Sequence, residues 1–196
     1  MKIRVTFTEP ILGTCPADKE IAERFVASKA PDAATMKEEI EAIGVEAVQE
    51  RGKTIFPKEN GVPILYDYQI KGFFKDSCGM LSRVKEGEYG KESRRIKAYK
   101  KVIDGLIFVS PRMIPIKFDG EIQDCQRPLR AMTMQGERVS LVNSEEIPAG
   151  AVCEFEATCI DPNYEAAVRE WLDYGMLRGI GQWRNSGKGR FTYEVL

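Results

Sequence analysis

Histidine is absent from the 196 residues of this sequence. Its absence excludes Ser-His-Asp and Cys-His catalysis, proton transfer by imidazole, and metal sites that use histidine ligands. Aspartate and glutamate are plentiful, but no motif brings two of them to one place, as an acid/base nuclease would require. We therefore expect no metal ion and no cofactor, and we assign no catalytic residue.

Cysteine is scarce and scattered, with five residues and no Cys-x-x-Cys pair among them. An odd, dispersed set is typical of reduced thiols rather than of a disulfide framework. Long apolar runs are also missing, since none approaches the roughly 20 residues that span a bilayer. Charge interrupts the first five residues, so we expect no signal peptide, no membrane partner and a cytoplasmic protein.

A strong charge of either sign is lacking as well. The 29 basic and 30 acidic side chains give a net charge of -1, which argues against a wholly basic nucleic-acid coat. A site for a polyanion must therefore be a local patch. The length suits one domain that carries an insertion, and we expect a single domain over residues 1–196.

Glycine is concentrated near the end of the chain, between a predicted helix and a last predicted strand. Two Gly-x-Gly pairs occur there with four cations among them, namely Gly179, Gly181, Gly187 and Gly189 with Arg178, Arg184, Lys188 and Arg190. Glycine lets a ligand approach the main chain closely, and backbone N–H groups beside cations suit phosphate. The alternative interpretation is a mobile, solvated turn.

The first third of the chain predicts a strand and two charged helices. Residues 3–8 alternate apolar and polar side chains, which is typical of a half-buried strand. Residues 17–29 and 35–51 carry modest apolar stripes at helical spacing. We interpret 15–60 as a peripheral helical insertion, and a partner-binding helical arm is the alternative.

A core-facing helix is predicted over residues 66–81, where apolar side chains recur every three or four positions. Lys71 and Lys75 lie one turn apart on it. They are either solvated lysines or ligands for a phosphate near the start of the helix. Gly72 and Gly79 would let this helix or a ligand lie close to another backbone.

The middle of the chain predicts a basic segment, a central strand and a hairpin. Residues 85–101 are either a solvated surface or an electrostatic arm along a nucleic-acid backbone. Residues 102–109 are strongly apolar, which favours a strand buried on both faces. Pro115 places the next segment at an edge or in a loop. Residues 119–146 indicate a protruding β-hairpin with a turn at 135–137.

The last third predicts a strand, a helix and a final strand. Cys153, Phe155, Ala157 and Cys159 face the core on the first strand, and Val168, Trp171, Leu172 and Leu177 form one stripe on the helix. Asp161-Pro162 is a helix start. Without the insertion, the order is βαββαβ. We therefore predict an α+β, ferredoxin-like (RRM-like) fold with an antiparallel sheet, whose face opposite the helices is free for a ligand.

Three stretches of the chain resemble the RAMP superfamily, the family of CRISPR-effector backbone subunits. The first is Pro63-Ile64 followed by Gln69-Ile70-Lys71-Gly72-Phe73-Phe74-Lys75, which is similar to the family's helix start. The second is Glu146-Ile147-Pro148-Ala149-Gly150, similar to the entry to the third strand. The third is the glycine-rich segment around Gly179 and Gly187. Together they cover roughly residues 63–196, and residues 15–60 match nothing in the family.

The resemblance implies that the loop and the helix start contact an RNA backbone, while the hairpin acts as a thumb between nucleotides. The implied contacts are Lys71, Gly72 and Lys75, the four glycines of the loop with Lys188 and Arg190, and, by position in the hairpin, Arg127, Arg130, Met132 and Met134. Arg178 and Arg184 join the predicted nucleic-acid site as the other two loop cations. The histidine of RNA-processing relatives is missing, and neither Asp18 nor Asp32 has the surroundings of a catalytic acid.

We therefore predict a non-catalytic module that binds single-stranded RNA, with Tyr66, Tyr68 or Trp183 available to stack on bases. The sequence also resembles small proteins carried by phages of gut bacteria. The alternative is thus an anti-defence protein that imitates a CRISPR subunit or sequesters a nucleotide signal. A nucleotide ligand, a defence complex as partner and a homo-oligomer all stay open.

Overall fold

A computed structural model describes residues 1–17, 53–133 and 136–196, and the side chains of 129–141 are not among those described. Contacts divide the chain into two compact units. The first unit comprises Met1–Ile11, Pro57–Glu121 and Ile147–Leu196, and the second comprises Leu12–Phe56 and Ile122–Glu146. The predicted helices at 17–29 and 35–51 lie outside the described residues, and the single domain stays a prediction.

Most of the helices and strands in the described residues belong to the first unit. Its strands are β1 (Lys2–Phe7), β5 (Lys58–Glu59), β6 (Val62–Tyr66), β7 (Ile107–Ser110), β8 (Met113–Lys117), β11 (Val152–Cys159) and β12 (Phe191–Val195). Its helices are α1 (Asp67–Leu81), α2 (Tyr99–Leu106) and α3 (Glu165–Arg178). The remaining strands are β2 (Ile11–Leu12), β3 (Cys15–Pro16), β4 (Thr54–Ile55), β9 (Gln123–Thr133) and β10 (Gly136–Ile147).

The sheet of the first unit has a ferredoxin-like centre. Strands β12, β1, β11 and β7 are neighbours in that order, and every pair is antiparallel. Taken with α1 and α3, they form the βαββαβ arrangement that the sequence predicts. The α+β, ferredoxin-like fold is therefore confirmed. The sheet also continues from β11 through β8 and β6 to β5.

One face of the sheet packs against α1 and α3. On β1, Ile3, Val5 and Phe7 are buried, as the alternation of residues 3–8 predicts. Ring contacts join Phe7 to Phe191 on β12 and Phe191 to Phe73 on α1, at centroid distances of 6.3 and 5.9 Å. Aromatic rings from two strands and a helix thus form the centre of this core.

The predicted apolar stripes of α1 and α3 are mostly buried. Val168, Trp171 and Leu172 are fully buried on α3. Leu177, predicted on the same stripe, is 59% exposed. It is the penultimate residue of α3, where the helix ends and the chain enters the loop. Phe74 of α1 lies 5.4 Å from Trp171, measured between ring centroids, so the two helices pack through aromatic side chains.

The predicted strand over 102–109 is wrong in its first half. Residues up to Leu106 belong to α2, and only Ile107–Ser110 form β7. Ile103 and Ile107 are buried at helical spacing, and an apolar run this short does not distinguish helix from strand. β7 is not buried on both faces either, since Phe108 is 47% exposed.

Pro115 lies in a paired strand rather than at an edge or in a loop. β8 pairs with β6 on one side, where Pro115 is opposite Ile64, and with β11 on the other. The pairing with β11 involves only Ile116 and Lys117 of β8. Proline has no N–H to donate, so its position outside that short pairing explains why it is tolerated.

The basic segment 85–101 is tied to α3. The Glu170 carboxylate accepts hydrogen bonds from the N–H groups of Glu92 (3.0 Å) and Ser93 (2.9 Å) and from the Ser93 hydroxyl (2.5 Å). Trp171 Nε1 donates to the same hydroxyl oxygen at 3.0 Å. The middle of segment 85–101 is thus a 3-10 turn, Ser93–Arg95, that is hydrogen-bonded to α3, while the lysines of the segment lie on the surface.

In the second unit, β9 and β10 form the predicted hairpin. Gly136 pairs with Thr133 and Glu137 with Met132, so these two residues of the predicted turn belong to β10 instead. Residues 134–135 lie outside the described residues. β10 also pairs with β4, and β4 with β3. A 2.7 Å hydrogen bond between the hydroxyls of Thr54 and Ser144 supports the contact between β4 and β10.

All five cysteines are free thiols, as predicted. Burial raises the pKa of Cys153 to about 12 and that of Cys78 to about 11, so both stay protonated at neutral pH. Cys159, predicted to face the core, is only half-buried. Within the described parts of the chain, no helix combines the length and the apolar character that crossing a membrane requires.

A pair of glycine substitutions tests the packing of α1 and α3. Gly175→Ala places a methyl 2.6 Å from Phe73 Cζ and against the Phe191 ring, so we expect a loss of about 1–3 kcal/mol of unfolding free energy. Gly105→Ala on α2 meets nothing within 4 Å and should gain about 0.5–1 kcal/mol. Urea unfolding measures both, and equal effects would contradict the described packing.

Candidate functional site

The glycine-rich loop between α3 and β12 has an unusual backbone. All four glycines have positive φ, from +72° at Gly189 to +91° at Gly181. Trp183 also lies in the left-handed region, with φ 55° and ψ 33°. Side chains at positive φ cost about 1–2 kcal/mol each, so this path requires glycine at most of these positions.

The base of the loop is closed by backbone hydrogen bonds. Ile180 N donates to Gly189 O at 2.9 Å, and Gly189 N donates to Pro10 O at 2.8 Å. Gly179 N donates back to Gly175 O at 2.7 Å. A methyl at Gly189 would overlap the Ile180 carbonyl oxygen. These N–H groups are therefore used within the protein, so a ligand at the base of the loop would meet side chains instead.

Two of the four loop cations hold the tip of the loop against α1. Arg184 Nη1 lies 2.6 Å from Asp76 Oδ2, and Arg178 Nε lies 3.9 Å from the same oxygen. Arg178 Nη1 also donates to Asn185 Oδ1 at 2.7 Å. About a quarter of each guanidinium side chain is exposed, so part of each remains accessible.

The other two loop cations follow the tip. Lys188 is half-buried and Arg190 is exposed. The backbone of Arg190 is held by the end of β1, since its carbonyl oxygen accepts hydrogen bonds from Thr8 N at 2.9 Å and Glu9 N at 3.3 Å. The position of Arg190 is therefore set by the sheet, while its side chain extends to solvent.

On α1, the predicted residues separate onto two sides of the helix. Gly72 is exposed, and a methyl group added there would meet nothing within 4 Å. It precedes Asp76 by one helical turn, so it lies on the side of α1 that the loop contacts. Lys71 and Lys75 contact α2 instead. Lys71 Nζ donates to the Asp104 carbonyl at 3.1 Å, and Lys75 Nζ lies 2.6 Å from the Asp104 carboxylate.

The start of α1 carries exposed aromatic rings. Tyr66 and Tyr68 stack at 5.1 Å between centroids, and Tyr68 is 53% exposed. Tyr66 N donates to Gln69 Oε1 at 2.7 Å, which caps the helix. Lys71 Nζ lies 5.0 Å from the centroid of the exposed Phe108 ring. Lys71 is thus part of a cation–aromatic surface rather than of the loop.

Ion pairs occupy the β1 and β11 part of the sheet face opposite the helices. Arg4 Nε donates to Glu154 at 2.8 Å, and Lys2 lies 3.7 Å from the same carboxylate. The hydrogen bond from Arg4 holds the pKa of Glu154 below its usual range. Neither β1 nor β11 places an aromatic side chain here. On β1 and β11 the predicted free face therefore carries ion pairs, and on β7 the exposed Phe108, opposite Thr158, adds an aromatic ring to it.

Of the four hairpin residues predicted to contact RNA, only Arg127 has a described side chain. Arg127 is only 4% exposed and donates to Ser144 Oγ at 3.0 Å, so its guanidinium supports the base of the hairpin. The side chains of Arg130 and Met132 are outside the described ones, and Met134 is outside the described residues. Among the residues that are described, no group of three or more Cys, Asp or Glu could hold a metal.

Sequence reasoning missed Asp76. It is the residue that joins the loop to α1, and its position four residues after Gly72 places it on the same helix face. A carboxylate in a helix has many cationic neighbours to choose from, and sequence spacing does not identify its partner. The partner, Arg184, lies 108 residues away along the chain.

The sheet order and the two helices on one sheet face define a ferredoxin-like fold, with the glycine-rich loop before its last strand. No protein-family model and no curated protein matches the chain. Its structure is similar to a chain in the cryo-EM structure of type III-B Cmr-beta bound to cognate target RNA, with a TM-score of 0.53 and 10% identity. That likeness covers 99% of this chain and 58% of the other.

Two further structures resemble the chain over its whole length. One is a chain of a type IV-B CRISPR complex, with a TM-score of 0.49, 11% identity and 89% of that chain covered. The other is Cmr6 from Pyrococcus furiosus, with a TM-score of 0.47, 8% identity and 97% covered. At such identities, structural likeness extends to the fold alone.

Two loop glycines provide a test of loop closure. Gly189→Ala should cost about 3 kcal/mol or more, because left-handed strain adds to an overlap with the Ile180 carbonyl. Gly187→Ala should cost only about 1 kcal/mol, because the left-handed strain is then the main penalty. The nearest atom to the added methyl group would be Arg190 Cζ, at 3.8 Å. Denaturant unfolding measures both, and the closure is contradicted if the order reverses.

Proposed function

We propose that the chain is a non-catalytic module that binds single-stranded RNA, like a CRISPR-effector subunit. The fold is shared with a chain whose structure was determined with cognate target RNA. That chain is longer, and this one spans 58% of it, so its partners and assembly are also matters of proposal here. The observation that carries the proposal is the closed loop with cations arranged around it.

The loop has the features of a phosphate site. Its base is closed by backbone hydrogen bonds, and its tip is held by Asp76, so the cations need little further ordering when a ligand binds. Lys188 and Arg190 supply the charges that we assign to phosphate contacts. Beside them, Gly72 leaves α1 open where a backbone would pass.

Charge supports the loop over the other surfaces of the first unit. Four cations lie in or next to the loop, and two of them, Arg178 and Arg184, share the carboxylate of Asp76. The sheet face, in contrast, pairs its cations with Glu154 and Glu194. Arg178 and Arg184 stay in the proposed set as partly exposed cations that also position the loop tip.

Of the remaining predicted contacts, some stay in the proposal and one leaves it. Lys71 and Lys75 stay in the proposal as a second cationic edge next to Phe108, separate from the loop. Arg127 leaves it, because a phosphate would not reach a guanidinium that is 4% exposed. No observation on the described residues favours an anti-defence role, a phage source or a nucleotide ligand, and those alternatives stay predictions.

The double variant Lys188→Ala/Arg190→Ala tests the proposal. Binding of a labelled single-stranded RNA is measured by fluorescence anisotropy over a salt series. Two lost phosphate contacts should lower the slope of log K against log salt by about 1.4, together with a weaker affinity at low salt. The thermal midpoint should stay near that of the wild type, since neither side chain is fully buried.

A matched control removes the same charge elsewhere. Arg83 and Arg169 are exposed and lie toward the opposite ends of α1 and α3 from the loop. Arg83→Ala/Arg169→Ala should leave the salt slope nearly unchanged. If both double variants behave alike, general charge explains binding and the loop has no special part. If the wild type retains no RNA at low salt, the proposed function fails.

A further inference from the structure

Trp183 occupies a backbone conformation that a tryptophan rarely adopts. Its φ of 55° and ψ of 33° are those of a left-handed residue, where a bulky side chain is a true outlier. Such strain persists only when the surrounding structure enforces it, and it is concentrated at ligand sites. The side chain is 38% exposed. This large ring is thus strained at the backbone and only partly covered.

The chain on either side holds Trp183 in place. Gly181, with φ +91°, turns the chain two residues before it. After it, a 3-10 turn is closed by a hydrogen bond from Ser186 N to the Trp183 carbonyl at 3.0 Å. Arg184, the next residue, is anchored to Asp76 at 2.6 Å. The same path would be less strained with glycine or asparagine at position 183, so the turn itself does not require an indole.

The other tryptophan shows what a structural role looks like in this protein. Trp171 is 0% exposed, packs against Phe74, and donates its indole N–H to Ser93 at 3.0 Å. Its backbone is helical. Trp183 differs in burial and in backbone strain, and it lies in the loop that carries Lys188 and Arg190. An exposed ring and two cations in one loop match the chemistry of single-stranded nucleic-acid sites, where bases stack on aromatic side chains.

We propose that Trp183 stacks on a nucleobase of the single strand whose phosphates Lys188 and Arg190 hold. The inference rests on the proposed function and adds to it a base-binding site in the same loop. It assigns the loop a preference for single strands over duplexes, because a base within a duplex is already stacked between its neighbours. Any base can stack, so little sequence preference is expected from this contact.

The test compares ligands with and without bases. The probes are a labelled uridine oligomer of about 12 nucleotides and an abasic oligomer of equal length, which keeps the phosphates but has no bases. Trp183→Ala should weaken binding of the uridine oligomer roughly 5- to 100-fold and leave binding of the abasic oligomer unchanged. Trp183→Phe should keep most of the affinity for the uridine oligomer, because it preserves a stacking ring.

Stability gives a second, independent measurement. Trp183→Gly removes the left-handed strain, so its thermal midpoint should equal or exceed that of the wild type while binding of the uridine oligomer falls as in Trp183→Ala. An indole that serves only to pack the loop predicts the opposite, a lower midpoint. Quenching of tryptophan fluorescence by the uridine oligomer should also disappear in Trp183→Phe, since the buried Trp171 is shielded from bases.

The outcomes separate this inference from the function on which it rests. If Trp183→Ala binds the uridine oligomer like the wild type while Lys188→Ala/Arg190→Ala does not, base stacking is overturned and RNA binding stands. If Trp183→Ala loses the abasic oligomer equally, the indole shapes the loop and stacking is again overturned. If the wild type retains neither oligomer, both proposals fail together.

Discussion

The backbone hydrogen bonds that join Ile180, Gly189 and Pro10 set the position of everything in the glycine-rich loop. They bring the two ends of the loop together and attach them to the end of β1. Gly189 makes this possible, because any side chain there would overlap the Ile180 carbonyl. With its base closed, the loop extends from a rigid sheet and helix. The loop's cations and its exposed indole are thus carried on a backbone that is hydrogen-bonded at its base.

A single ion-pair cluster extends that order to the loop tip. Asp76 on α1 accepts a hydrogen bond from Arg184 and forms a longer ion pair with Arg178. Helix and loop are therefore held together by charge as well as by packing. The partly exposed pair contributes little free energy by itself, about 0–1 kcal/mol. Its importance is geometric, since it positions the residue after Trp183. The exposed surface of Gly72 lies on the same side of α1.

In the proposed function, the ferredoxin-like sheet is the scaffold and the loop at its end is the binding site. In RNA-recognition folds the open sheet face carries aromatic rings for bases. On β1 and β11 that face carries Lys2, Arg4 and Glu154 in ion pairs. We therefore place the proposed interface on the loop at the end of the sheet. Exposed rings do occur on Tyr68 at the start of α1 and on Phe108 of β7, which lies next to Lys71.

The sequence by itself determined the fold class, because alternation in β1 and β11 and helical spacing in α1 and α3 are local patterns that the core enforces. It also located the glycine-rich loop and its cations, since glycine clusters report backbone conformation directly. Tertiary structure alone decided which cations have partners within the protein. Arg184 pairs with Asp76, Lys75 pairs with Asp104, and Arg127 donates a hydrogen bond to Ser144 at the base of the hairpin. Those pairings join residues distant along the chain, and the choice of an ionic partner depends on distances that no spacing rule contains.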